Sequence, residues 1–95
     1  MQTEPKPPPD GTDPDRERIE AFRRGETVAF DDLVRRHESR VLRLCSRILG
    51  DVDAALDAAQ ETFVKAWRAL DRFQGDAKIS TWLTRIAINQ CRNDL

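Results

Sequence analysis

Apolar residues recur along the chain with the spacing of helix faces, and glycines separate the stretches in which they recur. Gly25, Gly50 and Gly75 divide residues 15–95 into four segments, and glycine often ends a helix because it readily adopts the left-handed conformation. All five prolines lie within residues 1–14, so no proline interrupts the rest of the chain. The sequence therefore predicts an all-α fold, a compact bundle of about four helices.

The predicted helices differ in the clarity of their apolar pattern. In the second, positions from Phe30 to Ile48 follow the i, i+3, i+4, i+7 spacing of one helix face. The third is rich in alanine, which favours helix over strand. The four helices are predicted over residues 15–24, 27–49, 51–73 and 80–95, with Thr27 and Asp51 as caps of the second and third. The stripe of the third helix that we expect to face the core consists of Leu56, Ala59, Phe63, Trp67 and Leu70.

Length and composition describe one small domain with an N-terminal tail. The chain has 95 residues, of which 39% are hydrophobic and 35% charged, and its formal charge is −1. The usual sign of a nucleic-acid-binding domain, a strongly basic composition, is therefore missing. Residues 1–14 are proline-rich and contain no aromatic residue, so they cannot bury enough apolar surface to order themselves. We expect a disordered tail over residues 1–14 and a folded domain over residues 15–95.

Few residues in the chain have catalytic or metal-binding chemistry. We expect Cys45 and Cys91 to be buried free thiols, with a disulfide as the alternative. His37 is the only histidine, and its position in an apolar stripe favours a hydrogen-bonded packing residue over a ligand. Metal-ligand spacings and glycine-rich phosphate loops are absent from the sequence. We therefore expect no cofactor, no metal and no enzyme activity.

The sequence contains no pattern of a signal peptide or a membrane span. Its longest apolar stretch with large aliphatic residues is residues 86–88, whereas a helix needs about 20 apolar residues to cross a bilayer. A cationic N-terminal segment followed by an apolar run is also missing. We expect a cytoplasmic protein that does not insert into membranes.

A polar face on the third predicted helix has two interpretations. It is acidic and rich in amides near its start, which is typical of a solvated face that begins at a helix N-terminus. Val64 favours the alternative, a docking surface, because a branched apolar residue inside a polar stripe is typical of an interface. The face consists of Asp53, Asp57, Gln60, Glu61, Val64 and Arg68.

The fourth predicted helix also has an outward face with two interpretations. Its arginines could be ordinary solubilising residues, or they could neutralise phosphates while Asn89, at the edge of the row, reads a base. The loop before the helix is polar and lies between Phe73 and Trp82, an arrangement that suits an unstacked base but also a plain connection. The outward face consists of Thr81, Arg85, Ile88 and Arg92.

Two stretches of the chain carry motifs in a specific order. Residues 57–67 read DAAQETFVKAW, and residues 73–89 read FQGDAKISTWLTRIAIN. Together with residues 29–37, AFDDLVRRH, they resemble region 2 of the extracytoplasmic-function (group IV) bacterial sigma factors. The resemblance covers the chain from about Ile19 onward and leaves out the tail.

The resemblance implies a role in promoter recognition. It implies that the third helix docks on the clamp helices of the RNA polymerase β′ subunit, and that the fourth helix and the preceding loop engage the −10 promoter element. One non-template base would be flipped into a pocket that Asn89 helps to form, and this flipping would help to melt the promoter. The implied polymerase contacts are Asp53, Asp57, Gln60, Glu61, Val64 and Arg68. The implied DNA contacts are Gly75, Asp76, Lys78, Ser80, Thr81, Arg85, Ile88, Asn89 and Arg92.

The sequence departs from the family pattern at several positions. Ala54 and Leu56 replace acids that many relatives carry, and Ile88 replaces a basic residue. A full family member continues into a helix-turn-helix domain that reads the −35 element, so we expect this chain to be truncated or an excised domain. The resemblance also implies an anti-sigma factor as a partner. Two other interpretations remain open: a DNA-binding module that works without polymerase, and a helical interaction module that docks an anti-sigma factor without reading DNA.

Overall fold

The structure, a computed structural model, describes residues 13–95. All regular secondary structure in this range is helical, and the helices are joined by short links. The all-α prediction with four helices is confirmed. The helices are α1 (Arg16–Arg23), α2 (Val28–Leu49), α3 (Val52–Ala69) and α4 (Ile79–Asp94).

The predicted boundaries of α2 are accurate to about one residue. Gly50 ends the helix in the left-handed conformation, with a φ of 69°, which glycine adopts without the steric cost of a Cβ atom. Thr27 and Asp51 occupy the predicted cap positions of α2 and α3, but neither side chain makes a capping hydrogen bond.

The third helix is shorter than predicted. It ends at Ala69 because a 3-10 turn, Leu70–Arg72, tightens the chain. The backbone of Phe73 is then extended, and its carbonyl accepts a hydrogen bond from the guanidinium of Arg23. This turn starts the loop that leads to α4.

One apolar cluster lies where α1 meets the start of α2, the end of α3 and the start of α4. Leu33, Leu70 and Ile79 are its most deeply buried large side chains. The buried members are Ile19, Phe22, Ala29, Leu33, Ala66, Leu70, Phe73, Ile79 and Leu83. This cluster ties the short helix α1 and the loop before α4 to the bundle.

A second apolar cluster joins α2, α3 and α4 and is built around small side chains. Val41 and Cys45 of α2 meet Ala87 and Cys91 of α4. The contribution of α3 to this cluster is Ala55, Ala58 and Ala59. With the buried Thr62 and Ala66 they form a face of small residues, which we call the alanine face: Ala55, Ala58, Ala59, Thr62 and Ala66. Small residues allow neighbouring helices to approach closely, so α3 packs tightly against both partners.

The predicted core stripe of α3 is wrong in part, because the helix is turned about its axis. Ala59 and Leu70 are buried as expected, but Leu56 and Trp67 are 49% and 44% exposed. Phe63 is half-buried. The alanine face leaves no room between the helices for leucine or tryptophan, so the large residues lie at the edge of the contact.

Both cysteines are free and fully buried, which confirms the prediction of free thiols. Burial, together with the hydrogen bond with Cys91, raises the pKa of the Cys45 thiol to about 12. The thiolate is the reactive form of cysteine, so Cys45 acts as an apolar packing group in the core.

A buried polar cluster connects Asp15, the residue before α1, to α2. Asp15 is only 2% exposed, and its carboxylate accepts a hydrogen bond of 2.8 Å from Nε2 of His37. Arg36 and Arg18 form ion pairs with the same carboxylate. The prediction that His37 is a hydrogen-bonded packing residue is therefore confirmed.

Asp13, which the sequence analysis assigns to the tail, makes hydrogen bonds with the helical domain. The carboxylate of Asp13 accepts hydrogen bonds from the backbone N–H of Asp15 and from that of Ile79, at the start of α4. Pro14 lies in the turn between Asp13 and Asp15. The hydrogen bonds of Asp13 therefore connect the residues before α1 to the start of α4. The rest of the predicted tail, residues 1–12, lies outside the described residues.

We expect Asp15→Ala to lower the free energy of unfolding by about 1.5–3 kcal/mol, because it removes charged hydrogen bonds and leaves buried His37 without its acceptor. Urea unfolding followed by circular dichroism measures the change. Asp32→Ala is the control, since Asp32 pairs with Arg35 on the surface and such a change costs under about 0.5 kcal/mol. Equal unfolding midpoints for the two variants would contradict this role of Asp15.

Candidate functional site

The polar face predicted on α3 lies on the surface. We call it the outward row of α3: Asp53, Asp57, Gln60, Glu61, Val64 and Arg68. Glu61 and Val64 are half-buried, and the other members are exposed. At 100° per residue, the row lies about 180° from the alanine face. Within residues 13–95, none of its charged groups takes part in an ion pair, so its acids and amides face solvent.

An apolar groove of about 580 Å³ lies beside this row, between α2 and α3. Most of its wall is apolar, and two members of the outward row, Gln60 and Val64, also line it. The main apolar lining residues are Phe30, Val34, Leu42, Leu56, Phe63 and Trp67. The groove and the outward row of α3 therefore form one continuous surface.

Aromatic packing shapes one end of the groove. The ring of Trp67 meets Phe22 and Phe30 edge to face, with centroids 5.1 Å apart in each pair. Edge-to-face geometry is a favourable arrangement of aromatic rings. Trp67 is thus held on one side by α1 and α2 and remains open to the groove on the other.

Sequence reasoning did not identify this groove. It assigned Leu56, Phe63 and Trp67 to the core, because large apolar residues at helical spacing usually face inward. The signal that could have found the groove is the second apolar stripe of the same helix, the small residues from Ala55 to Ala66. A helix with two adjacent apolar stripes can bury only one of them in a tight contact.

The loop before α4 is held at both of its ends. At its start, Arg23 donates to the carbonyl of Phe73, whose ring packs on Trp82 with centroids 5.0 Å apart. At its end, Asp13 accepts from the N–H of Ile79 and Arg40 donates to the carbonyl of Ser80 at 3.3 Å. Asp13 therefore caps α4 from a distant part of the chain, which the sequence did not indicate.

Between these anchors, the predicted DNA-contacting residues of the loop are on the surface. Gly75, Asp76 and Lys78 are exposed, and Gly75 has a φ of 76°. Ser80 is half-buried, and its carbonyl also accepts from the hydroxyl of Thr84. The polar residues of the loop are therefore exposed between two ends that hydrogen bonds hold in place.

The outward face predicted on α4 also lies on the surface. We call Thr81, Arg85, Ile88 and Arg92 the outward row of α4. Its arginines and Thr81 are exposed, Ile88 is half-buried, and Asn89 is exposed beside the row. The opposite face of α4 is buried through Leu83 and Ala87. The structure thus places the predicted residues of α4 on the exposed side of the helix that follows the loop.

The two surfaces differ in polarity and charge. In the described range 13–95, no group of three or more histidine, cysteine or acidic residues could hold a metal ion. In the same part of the chain, no helix is both long and apolar enough to span a bilayer. What the surfaces offer is an acidic and apolar patch on α3 and a polar, arginine-bearing one at α4.

The partial exposure of Trp67 lowers the loss of folding free energy that we expect when its side chain is truncated. We expect Trp67→Ala to cost less than the 3–5 kcal/mol typical of a fully buried aromatic residue, because the ring is partly exposed. Leu70→Ala should cost about 2–5 kcal/mol, because Leu70 is fully buried. Urea unfolding of both variants gives the comparison. If Trp67→Ala were the more destabilising change, the orientation of α3 described above would be incorrect.

Comparison with known proteins gives consistent matches. The sequence profile of sigma-70 region 2 matches residues 33–95. The RNA polymerase sigma-H factor of Pseudomonas aeruginosa is 46% identical over 81 residues, which are 85% of this chain and 42% of that protein. The ECF RNA polymerase sigma-E factor of Escherichia coli K12 is 44% identical over 77 residues, 81% of this chain and 40% of that protein.

A solved structure matches as well. It is the NMR structure of an engineered region 2 of sigmaE in complex with GTAAAA, with a TM-score of 0.77 and 42% identity. The match covers 84% of this chain and 83% of that one. The chain therefore spans most of this structural relative but only about two fifths of the curated relatives.

Proposed function

The chain belongs to the sigma-70 region 2 family, and from this membership we propose that it binds RNA polymerase core and the −10 promoter element in transcription initiation. The relatives of the chain are sigma factors, which are transcription initiation factors and not enzymes. The observation that carries the proposal is the loop between Phe73 and Ile79, which is held at both ends and leads into α4, where Asn89 is exposed. A related region 2 with the same fold binds GTAAAA.

The proposed polymerase contact is the outward row of α3 together with the apolar groove. The acids Asp57 and Glu61 would meet basic residues of the β′ clamp helices, and Gln60 would form hydrogen bonds at the centre. Val64 belongs to both the row and the groove, so apolar side chains of the partner helices can pack there while the acids contact their flanks. An apolar centre with a polar rim is the usual composition of a protein interface.

The proposed reading of the −10 element uses the loop and the exposed side of α4. A non-template base leaves the stack and is held by the loop, with Asn89 pairing to a base edge and Lys78 to the adjacent backbone. Flipping a base costs a few kcal/mol, so polymerase must help to open the promoter. Anchoring at both ends supports this role, because a loop that is already ordered loses little entropy when it binds.

The proposed phosphate contacts are Arg85 and Arg92 of the outward row of α4. They are exposed on the same side of the helix as Thr81. Phosphate contacts position a protein on DNA without reading its sequence. A chain with a net charge of −1 can still use them, since polymerase would supply most of the affinity.

An alternative function is a protein-interaction module that docks an anti-sigma factor without reading DNA. The apolar groove is the observation that favours it, because such a surface suits a partner helix. Binding to polymerase core and to a −10 strand separates the two functions. An interaction module would show no preference among DNA sequences.

We expect the double variant Gln60→Ala and Glu61→Lys to bind RNA polymerase core markedly more weakly, because it replaces an amide and reverses a charge at the centre of the proposed contact. Core binding is measured by fluorescence anisotropy of the labelled chain. Thermal unfolding should change little, since surface substitutions cost under about 0.5 kcal/mol. Glu17→Lys is the matched control, because it makes the same charge reversal on exposed α1. Equal core affinity of the double variant and this control would contradict the assignment.

We expect Asn89→Ala to reduce discrimination between matched and mismatched −10 strands by about 1–3 kcal/mol, the value of a good bidentate base contact. Arg85→Ala should instead weaken all sequences alike and lower the salt slope by about 0.7. The measurement is anisotropy of labelled strands containing GTAAAA or its mismatches, with the chain reconstituted on polymerase core, across salt concentrations. If Asn89→Ala weakened every strand equally, base reading would belong to another residue.

A further inference from the structure

A second row of arginines lies on α2, outside the surfaces described above. We call it the α2 arginine row: Arg36, Arg40, Arg43 and Arg47. These positions follow i, i+4, i+7 and i+11, so the side chains share one face of the helix. All four are exposed, and at 1.5 Å per residue the row is roughly 16.5 Å long.

The α2 arginine row lies next to α4. Arg40 donates to the carbonyl of Ser80, immediately before the first residue of the outward row of α4. Further along both helices, Val41 and Cys45 pack in one cluster with Ala87 and Cys91. The helices therefore run side by side in the same direction. An arginine row on α2 accompanies the proposed DNA-binding helix along much of its length.

Two arginines of this row are free to take a ligand. Arg36 pairs with the buried carboxylate of Asp15, and Arg40 is engaged with Ser80. For Arg43 and Arg47, by contrast, no ion pair or side-chain hydrogen bond occurs with any residue between 13 and 95. Exposed guanidinium groups without an ion-pair partner are available to bind an anion.

Most acids of the domain lie away from Arg43 and Arg47. Asp53, Asp57 and Glu61 belong to the outward row of α3. On α2 itself, Asp32 pairs with Arg35, and Glu38 lines the apolar groove. Two acids from other segments approach this side: Asp15 pairs with Arg36, and the charge of Asp94 acts on Cys45. A chain of net charge −1 thus carries a predominantly basic face at α2.

We propose that the α2 arginine row binds phosphates of the duplex DNA that flanks the opened −10 element. This inference rests on the proposed function, which assigns the opened strand to the loop and α4. A straight row of roughly 16.5 Å fits a regular array of charges, and duplex DNA carries about one phosphate charge per 1.7 Å of its axis. Guanidinium groups pair with phosphates bidentately. The row would add affinity without sequence preference.

The test uses the double variant Arg43→Gln and Arg47→Gln, which spares the two arginines with structural contacts. The matched control is Arg24→Gln with Arg35→Gln, because it also removes two exposed positive charges, each paired with a neighbouring acid. Circular dichroism melting checks that both variants fold. Anisotropy across salt concentrations then measures binding of the full chain to two probes: the single GTAAAA strand, and forked DNA with that strand opened and duplex on either flank.

We expect the test variant to lose about 0.9 of log–log salt slope per duplex phosphate contact, or about 1.8 in all, on the forked DNA. A fourfold rise in salt would then weaken the variant roughly tenfold less than the parent. The control should match the parent on both probes, and the test variant should match the parent on the single strand.

Three results would overturn the inference. One is an unchanged slope on forked DNA. The second is an equal loss of slope on the single strand, which would place the row on the opened strand. The third is loss of binding to polyglutamate with DNA binding intact, which would indicate an acidic protein partner. The proposed function fails separately: a parent chain that does not prefer GTAAAA over mismatched strands would contradict base reading, whatever the row does.

Discussion

The close contact through the alanine face of α3 is the constraint on which both candidate surfaces depend. Small side chains let α3 approach α2 and α4, and this approach sets which way every other residue of the helix points. Leu56 and Trp67 are excluded from the contact and line the apolar groove. The outward row of α3 then faces solvent on the opposite side. A larger residue at Ala55 or Ala58, both fully buried, would separate the helices and move both surfaces.

A second constraint is polar and acts at the start of α4. Asp13 and Asp15 are separated only by Pro14 but reach different helices: Asp13 contacts the N–H of Ile79, and Asp15 contacts His37 and Arg36 of α2. Together they hold α1, α2 and α4 in one arrangement. The loop that we propose to read the promoter therefore takes its geometry from residues far away in sequence.

Some surfaces of the domain carry mainly one sign of charge. The outward row of α3 exposes Asp53 and Asp57, whereas the α2 arginine row and the outward row of α4 expose arginines. Net charge hides this separation because the two signs nearly cancel. One face can attract a basic protein surface while another attracts phosphates, and long-range steering depends on such local fields.

The sequence predicted what depends on local physics. Helix number, most helix boundaries and the exposure of the rows on α3 and α4 follow from periodicity, glycine positions and the family motifs. The packing role of His37 and the free thiols of Cys45 and Cys91 were also predictable, since a lone histidine in an apolar stripe and two cysteines without a framework have few other uses.

Tertiary structure alone decided the features that need two distant segments. The pattern of α3 contains two apolar stripes, and only the shape of α2 and α4 selects the small one for the core. The hydrogen bond from the N–H of Ile79 to the carboxylate of Asp13 joins residues 66 positions apart, and no local rule predicts it. The arginine spacing on α2 is visible in the sequence, but its place beside α4 is not. Periodicity defines the faces of a helix, whereas packing against its neighbours determines which face is buried.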